Sequence, residues 1–444
     1  MPDSTPWSGR RLHFVGIGGV GMSGYATVSA QLGATVTGSD RAASPALERL
    51  VAAGIDARAG HDATQVPDGD DVEVVVSSAI AEGNPEIVAA HERGLRVMPR
   101  AELLSELSAL RRTIAVAGAH GKTTTSSMTA HVLLGCGMDP GYLIGGELRT
   151  TGLGAAWGTG EWLVVEADES DRSMLSLNVE VAVVTNVELD HHATYGSLAE
   201  VRAVFRTFLT APPHAIVLDR PELLALRPSG DTVAYTAHDL RLEAGGSRMT
   251  WRGHEVELTV PGEHNARNAV AALEAARLAG APEEQAVAAI ATFAGAGRRF
   301  EHLGQTPSGA VVIDDYAHHP TEVAATLAAA RTLAPRRLVA VFQPHLYSRT
   351  QHLAVAFGRA LAAADVVCVL DVYPARERAQ DFPGISGLTI AEAAVDAGGG
   401  AEVLWLPTFD DAERVLVGRL RAGDLCMILG AGDVRALGER LVAR

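Results

Sequence analysis

Apolar residues along the chain come in short unbroken runs bounded by glycine or polar turns. Between them lie longer stretches in which alanine and leucine recur at helical spacing. Short unbroken runs fit strands buried on both faces, and the recurrent spacing fits helices packed against them. The alternation predicts an α/β fold with largely parallel sheets. Three blocks emerge. The first, residues 1–110, opens with a strand (RLHFVGI), a glycine turn and a helix (MSGYATVSAQLG), continues through TVTGSD and VEVVVSSA, and closes on a helix near RAELLSEL. The second, residues 111–301, again runs strand, glycine loop, helix from TIAVAG. It adds strands in WLVVEADES, VAVVTNVE and AIVLD, a β-rich turn-separated run (LRLEAGGSRMTWRGHEVELTV) and a helix (HNARNAVAALEAARLAG). The third, residues 302–444, carries GAVVIDDY, RLVAVFQP, DVVCVLDVYP and DLCMILGAG with helices between them.

Composition narrows the function classes. At 444 residues the chain exceeds one ordinary core, and 47% hydrophobic with 20% charged residues is a globular balance. A formal net charge of −16 argues against nucleic acid as a partner, since a phosphate backbone calls for a basic face. Small anionic ligands stay open, because glycine loops hold phosphates with backbone N–H groups whatever the net charge. No apolar run reaches membrane-spanning length and no secretory signal is visible at the start, so a cytoplasmic protein with no membrane partner is expected. Cys136, Cys368 and Cys426 are odd in number and widely spaced, which reads as reduced thiols rather than disulfides or a metal site.

Two glycine loops carry the candidate chemistry. In GIGGVG, Gly16, Gly18 and Gly21 have the G-x-G-x-x-G spacing between a strand and a helix, and Asp40 ends the next strand. In that context glycines let the backbone approach a pyrophosphate, and the acid can meet a ribose hydroxyl. NAD and a UDP-sugar present the same two phosphates; a bare strand-to-helix turn is the plain alternative. The second loop, GAHGKTTT, lacks the first glycine of a full Walker A motif, since Val116 stands there, but keeps G-x-x-G-K-T in Gly118, Gly121, Lys122 and Thr123. Glycine N–H groups, a helix start, an ammonium for the β/γ-phosphates and a hydroxyl for Mg²⁺ are all retained. Lys122 is the only lysine among 37 basic side chains. Downstream, Glu166 in EADESD and His191 in NVELDHH follow strand-like runs. Strand C-termini gather at one edge of a parallel sheet, so the loop, Glu166 and His191 can converge on one site. Taken singly, Glu166 reads as a helix N-cap acid and His191 as a capping or surface histidine.

HFVGIGGVGMSG, SSAI, GNPE, GAHGKTTT, EADESD, TNVELDHH, PGEHNARNA, GRRFE, DDYAHHPTE and FQPHLYSRT, in this order over nearly the whole chain, resemble the Mur ligase family. The Gly18-Gly19-Val20-Gly21-Met22-Ser23 loop looks like the member that acts on alanine rather than the later ligases or the muropeptide-recycling ligase. The resemblance implies three domains: an N-terminal Rossmann-like UDP-sugar-binding domain, a central P-loop ATPase-type mixed sheet, and a C-terminal Rossmann-like domain. It implies an ATP-dependent amide ligase of peptidoglycan precursor synthesis. Such an enzyme joins L-alanine to the lactyl carboxylate of UDP-N-acetylmuramate through an acyl phosphate, with ATP and two Mg²⁺ ions.

By the same resemblance, Gly16, Gly18, Gly19, Gly21, Met22, Ser23, Asp40, Ser77 and Ser78 bind the UDP-sugar. Gly118, Ala119, His120, Gly121, Lys122, Thr123 and Thr124 hold the ATP phosphates. His264, Asn265 and Asn268 look like adenine-side contacts, and Arg299 and Asp315 like further ATP contacts. Lys122, Glu166 and His191 are the catalytic set; Thr123, Glu166 and His191 are the metal set. Tyr316, His318, Tyr347 and Arg349 face the muramoyl and alanine groups. Two departures stand out. Later ligases of the family use a carbamylated lysine near the second metal, whereas Phe205 holds the comparable place and Lys122 has no other lysine for company. Leu346 stands where arginine is expected after the histidine of FQPH. An NAD(P)-dependent oxidoreductase built on the first loop would leave the second loop and the metal set without a role; a non-catalytic nucleotide-binding regulator on the same fold is the third class.

Overall fold

A computed structural model describes residues 5–77, 80–190, 194–227 and 229–443. The chain divides into two compact units, one of Met1–Thr236 with Ala271–Ala289 and one of Ala237–Val270 with Ile290–Arg444. The expected boundary at 110/111 falls between a helix ending at Ala109 and a strand starting at Arg112, and that at 301/302 falls at the first residues of the strand Glu301–Gln305.

The first unit holds two sheets. Strands β1 (Arg11–Val15), β2 (Thr35–Asp40), β3 (Asp56–Ala59), β4 (Val72–Val76) and β5 (Arg96–Pro99) form an all-parallel sheet in the order β3-β2-β1-β4-β5. Order reverses beside β1, so the turn into helix α1 (Val20–Gln31) opens at the crevice where such sheets bind ligands. Helices α2 (Pro45–Ala52), α3 (Pro85–Glu92) and α4 (Arg100–Ala109) complete this layer. Strands β6 (Arg112–Ala117), β7 (Gly141–Leu148), β8 (Leu153–Ala156), β9 (Trp162–Glu166), β10 (Val181–Val184), β11 (His214–Leu218) and β12 (Asp231–Tyr235) form the second sheet, in the order β12-β11-β10-β6-β9-β7-β8. Only β8 runs antiparallel, to β7. β6 is central, with β9 on one side and β10 on the other. Its Thr113–Ala117 stretch is wholly buried, as an unbroken apolar run predicts, and helix α5 (Lys122–Gly135) follows it.

In the second unit, strands β13 (His238–Glu243), β14 (Gly246–Trp251) and β15 (His254–Leu258) make an antiparallel sheet from the β-rich run. Strands β16 (Glu301–Gln305), β17 (Val311–Asp315), β18 (Arg337–Phe342), β19 (Val366–Val369), β20 (Glu402–Trp405) and β21 (Asp424–Leu429) form a six-stranded sheet in the order β16-β17-β21-β18-β19-β20, with only β16 antiparallel. Successive β18 residues go to opposite cores: Leu338, Ala340 and Phe342 to one, Val339 and Val341 to the other. Cys368 and Cys426 are buried, Cys136 half-buried, and all three are free thiols. Among the described residues no helix is long and apolar enough to cross a membrane.

Candidate functional site

The first glycine loop is built by backbone hydrogen bonds that need its glycines. Gly16 has φ +81°, and the Gly16 and Ile17 N–H groups both donate to the Ser39 carbonyl at 2.8 Å. The Gly18 N–H donates to Asp40 Oδ2 at 2.8 Å, and a Cβ on Gly18 would lie 3.0 Å from that oxygen. Asp40, expected at a ribose, therefore also braces the loop. Gly19 is the N-cap of α1 and offers no side chain to its first-turn N–H groups, the arrangement in which helix starts hold anions. Met22 is buried, Ser23 and Ser77 are half-buried, and Ser78 lies outside the described residues.

Beneath this loop is a polar cluster that sequence reasoning missed. Ser39 Oγ donates to Glu86 at 2.7 Å; His13 Nε2 lies 2.8 Å and His61 Nδ1 2.9 Å from the same carboxylate. Ser39 and Glu86 are fully buried and His13 nearly so. Burial pushes the Glu86 carboxyl up, but hydrogen bonds from His13, Ser39 and His61 more than offset this and hold it below its ordinary value. The one sequence signal was a histidine inside the apolar run RLHFV.

The second loop leaves β6 through Gly118, whose φ is +142°. A Cβ there would sit 2.1 Å from Thr185 Oγ1, so only glycine fits. Thr185 Oγ and Asn186 Nδ2 both donate to the His120 carbonyl, at 2.6 and 2.8 Å, while the His120 N–H donates to Asn186 Oδ1 at 3.0 Å. Ala119 is half-buried in the turn. Gly121, at φ +82°, is the N-cap of α5, whose first turn brings Lys122 and the buried Thr123 and Thr124. The strand end next door delivers Glu166: its Oε1 accepts the Gly145 N–H at 2.5 Å and lies 3.5 Å from Ser126 Oγ, one turn beyond Thr123. Glu166 thus ends a strand and caps no helix. His191, the third expected metal ligand, lies outside the described residues.

Lys122 Nζ donates to the Gly118 carbonyl at 2.6 Å and to both Glu169 oxygens at 2.9 and 3.1 Å. Burial pulls its pKa down, but the charges of Glu169, Asp168 and Glu166 outweigh that and hold it above the ordinary lysine value. Between α1 and α5 lies a cavity of 120 Å³ lined by Gly21, Tyr25, Arg100, Lys122, Glu166 and Asp168 among others. Arg100, also missed from sequence, reaches Asp168 at 3.4 Å, and a Cβ on Gly21 would lie 3.0 Å from its guanidinium. Burial raises the Asp168 carboxyl, and the Lys122 charge, Ser170 and Arg100 lower it by more. Burial pushes the Tyr25 phenol up to about 12, so it stays a proton donor. The two loops therefore open on one space holding two cations, two acids and a neutral phenol.

The second unit gathers most of the remaining expected residues. The His264 imidazole is pulled down to about 4 by burial and by the Arg299 and Arg267 charges, so it is neutral at pH 7. Asn265, whose Nδ2 donates to the Pro261 carbonyl at 2.7 Å, and Asn268 are buried on the same helix, Glu263–Leu278. Asp315 ends β17 and accepts the Phe300 and Ala317 N–H groups at 2.8 Å; burial nonetheless raises its carboxyl to about 6. Arg299 lies over the Tyr316 ring at 5.2 Å and 3.7 Å from Glu322. Tyr316 meets His318 edge-on at 5.3 Å, His318 meets His345 at 6.0 Å, and His345 stacks on Tyr373 at 5.7 Å. Arg349 Nη1 is 3.3 Å from His345 Nδ1. His345, Tyr373 and Glu322 were not singled out from sequence. Tyr347 instead stacks on Phe382 at 6.0 Å. Leu346, in place of the expected arginine, sits at φ +71°, a strained position for a branched side chain, with its N–H on the Tyr373 carbonyl at 3.0 Å. Phe205 is fully buried in the helix Leu198–Thr210, so its place is filled by core packing.

Three family models match in succession: Mur ligase family, catalytic domain, over residues 11–112; Mur ligase middle domain over 116–276; and Mur ligase, glutamate ligase domain, over 298–432. A protein of Acidithiobacillus ferrooxidans named UDP-N-acetylmuramate–L-alanine ligase is 44% identical over 453 residues, covering 96% of each chain. One of the same name from Pelotomaculum thermopropionicum is 44% identical over 98% of this chain and 97% of its own. Among solved structures, UDP-N-acetylmuramate-alanine ligase MurC from Thermotoga maritima superposes with a TM-score of 0.83 at 28% identity, and the murein peptide ligase mpl from Psychrobacter arcticus with 0.73 at 27%; each match covers 98% of both chains. With all three models in order and full-length relatives at this identity, the chain belongs to the Mur ligase family.

Proposed function

We propose that this chain is an ATP-dependent ligase that joins L-alanine to the lactyl carboxylate of UDP-N-acetylmuramate in peptidoglycan precursor synthesis. The observation that carries the reading is the pair of glycine loops opening on one cavity lined by Lys122, Arg100 and Glu166. An oxidoreductase has no use for the second loop. The relatives' names, at full length, favour alanine over a peptide as the amine donor.

On this reading residues 1–110 take the UDP-sugar on Gly16, Gly18, Gly19, Gly21, Met22, Ser23, Asp40, Ser77 and Ser78. Residues 111–301 take ATP on the Gly118–Thr124 loop, with His264, Asn265 and Asn268 toward the adenine. Arg299 and Asp315 complete the nucleotide contacts, and residues 302–444 add Tyr316, His318, Tyr347 and Arg349 for the muramoyl and alanine groups. The lactyl carboxylate attacks the γ-phosphorus, ADP leaves, and the alanine amine then displaces phosphate from the acyl phosphate to form the amide. Lys122 spreads its charge over the transferring phosphoryl oxygens, and Arg100 offsets the incoming carboxylate. The donor set suits magnesium: Thr123 in the first turn of α5 and Glu166 at the end of β9 are hard oxygen donors, with His191 as a third ligand. When bound, Mg²⁺ supplies neutralisation of the charge between carboxylate and triphosphate.

The test is phosphate release from ATP and Mg²⁺ with UDP-N-acetylmuramate, adding each amino acid in turn. Alanine-dependent release is expected. Release with a peptide only would assign the recycling reaction instead, and no release with any amine would overturn the ligase reading.

A further inference from the structure

The sole lysine is not waiting with open donors. An ammonium has three N–H groups and no acceptor. Here one donates to the Gly118 carbonyl at 2.6 Å, and the others reach Glu169 Oε2 and Oε1 at 2.9 and 3.1 Å. Glu169 is 3% exposed, at the turn after β9, and the Tyr195 hydroxyl donates to its backbone carbonyl. A carboxylate this deeply buried is costly unless a cation pairs with it, and Lys122 pairs with it at 2.9 Å. The ammonium therefore reaches back to the base of its own loop, four residues upstream.

A triphosphate oxygen that takes Lys122 must displace at least one of these contacts, because no fourth donor exists. Two of the three contacts are to Glu169, an anion that would stand beside the incoming anion, and Asp168 adds a second acid on the same turn, itself within reach of Arg100. We propose that Glu169 is a positioning residue that holds Lys122 in a closed pairing and yields it when ATP binds, so that nucleotide binding is an exchange of one anion for another. This rests on the assignment of the second loop to ATP. Glu169 touches no reacting atom on this view; it acts through Lys122. Its cost is weaker nucleotide binding, and its return is an ammonium kept charged and in place while the loop is empty.

Because the chain has one lysine, protein grown with ¹⁵Nζ-lysine has a single side-chain ammonium signal. In the free wild-type protein that signal is expected to show slowed hydrogen exchange, and to move when the β,γ-imido analogue of ATP is added with Mg²⁺. In Glu169→Gln the exchange quickens, the analogue binds about tenfold tighter, and KM for ATP falls with kcat changing less. Glu169→Asp, which keeps the charge and shortens its reach, is expected to move binding the same way by about two- to threefold. A free-protein signal that exchanges as fast as solvated lysine overturns the proposal without any variant. So does unchanged or weaker binding in Glu169→Gln. If the analogue binds and leaves the wild-type signal unmoved, the second loop is not its site, and the ATP assignment falls instead.

Discussion

Replacing Gly118 with alanine tests whether the second loop is the rigid cradle described above. Two separate costs arise. At φ +142° an L-residue is strained by about 1–3 kcal/mol. The new Cβ would also lie 2.1 Å from Thr185 Oγ1, and 3.1 Å from the Asn186 backbone N and O, so Thr185 must move. Its hydroxyl then loses the His120 carbonyl, now 2.6 Å away, for about 1–2 kcal/mol more. Together Gly118→Ala should cost about 2–5 kcal/mol, reaching the upper end for a single substitution. The assay is denaturant unfolding followed by circular dichroism, with binding of the ATP analogue measured in parallel. Thr185→Ala separates the parts: in that background the clash with the hydroxyl is gone, and Gly118→Ala should cost mainly the backbone strain, a coupling of about 1–2 kcal/mol. A Gly118→Ala protein with an unchanged midpoint and wild-type analogue binding would refute the cradle.

Lys122→Arg should fold yet lose about 2–4 kcal/mol of transition-state stabilisation, because a broad guanidinium cannot enter a space where Nζ sits 2.6 Å from Gly118 O; turnover at saturating ATP checks this, and near wild-type rates would sink it. Asp315→Asn addresses pH. The native carboxyl, at about 6 against an ordinary 3.8, is favoured in its protonated form, so its contribution to stability is full below pH 3.8 and is lost as pH rises through 6. At about 1.4 kcal/mol per pH unit of displacement, the asparagine variant should gain about 3 kcal/mol on wild type between pH 3.5 and 7; parallel stability curves would contradict it. Glu86→Gln should destabilise by about 3–5 kcal/mol, since Ser39, His13 and His61 lose a fully buried anionic partner, and a midpoint shift near zero would show the cluster to be incidental.

The strands were legible because β6, β9, β10 and β21 are buried on both faces, and that environment writes an unbroken apolar run. Both loops were legible because their glycines are demanded by local backbone geometry, as at Gly16 and Gly118. What the sequence concealed lies across long separations. Glu169 meets Lys122 from 47 residues away, and Glu86 meets His13 from 73. Such partners depend on strand order, which no local pattern encodes. Arg100 was one arginine among many until the fold set it beside Gly21. His345 and Tyr373 meet through an isolated bridge rather than a ladder, so their pairing leaves no periodic trace.

The bracing of the His120 carbonyl by Asn186 also sets a timetable for synthesis. The two residues are 66 apart in the chain, so at a ribosomal pace of roughly 5–20 residues per second the loop waits about 3–13 s for its brace. Until β10 emerges, one long edge of β6 stays unpaired. A nascent chain paused between these points leaves that edge open to pairing with another strand, and slow codons placed before residue 186 would lengthen the exposure.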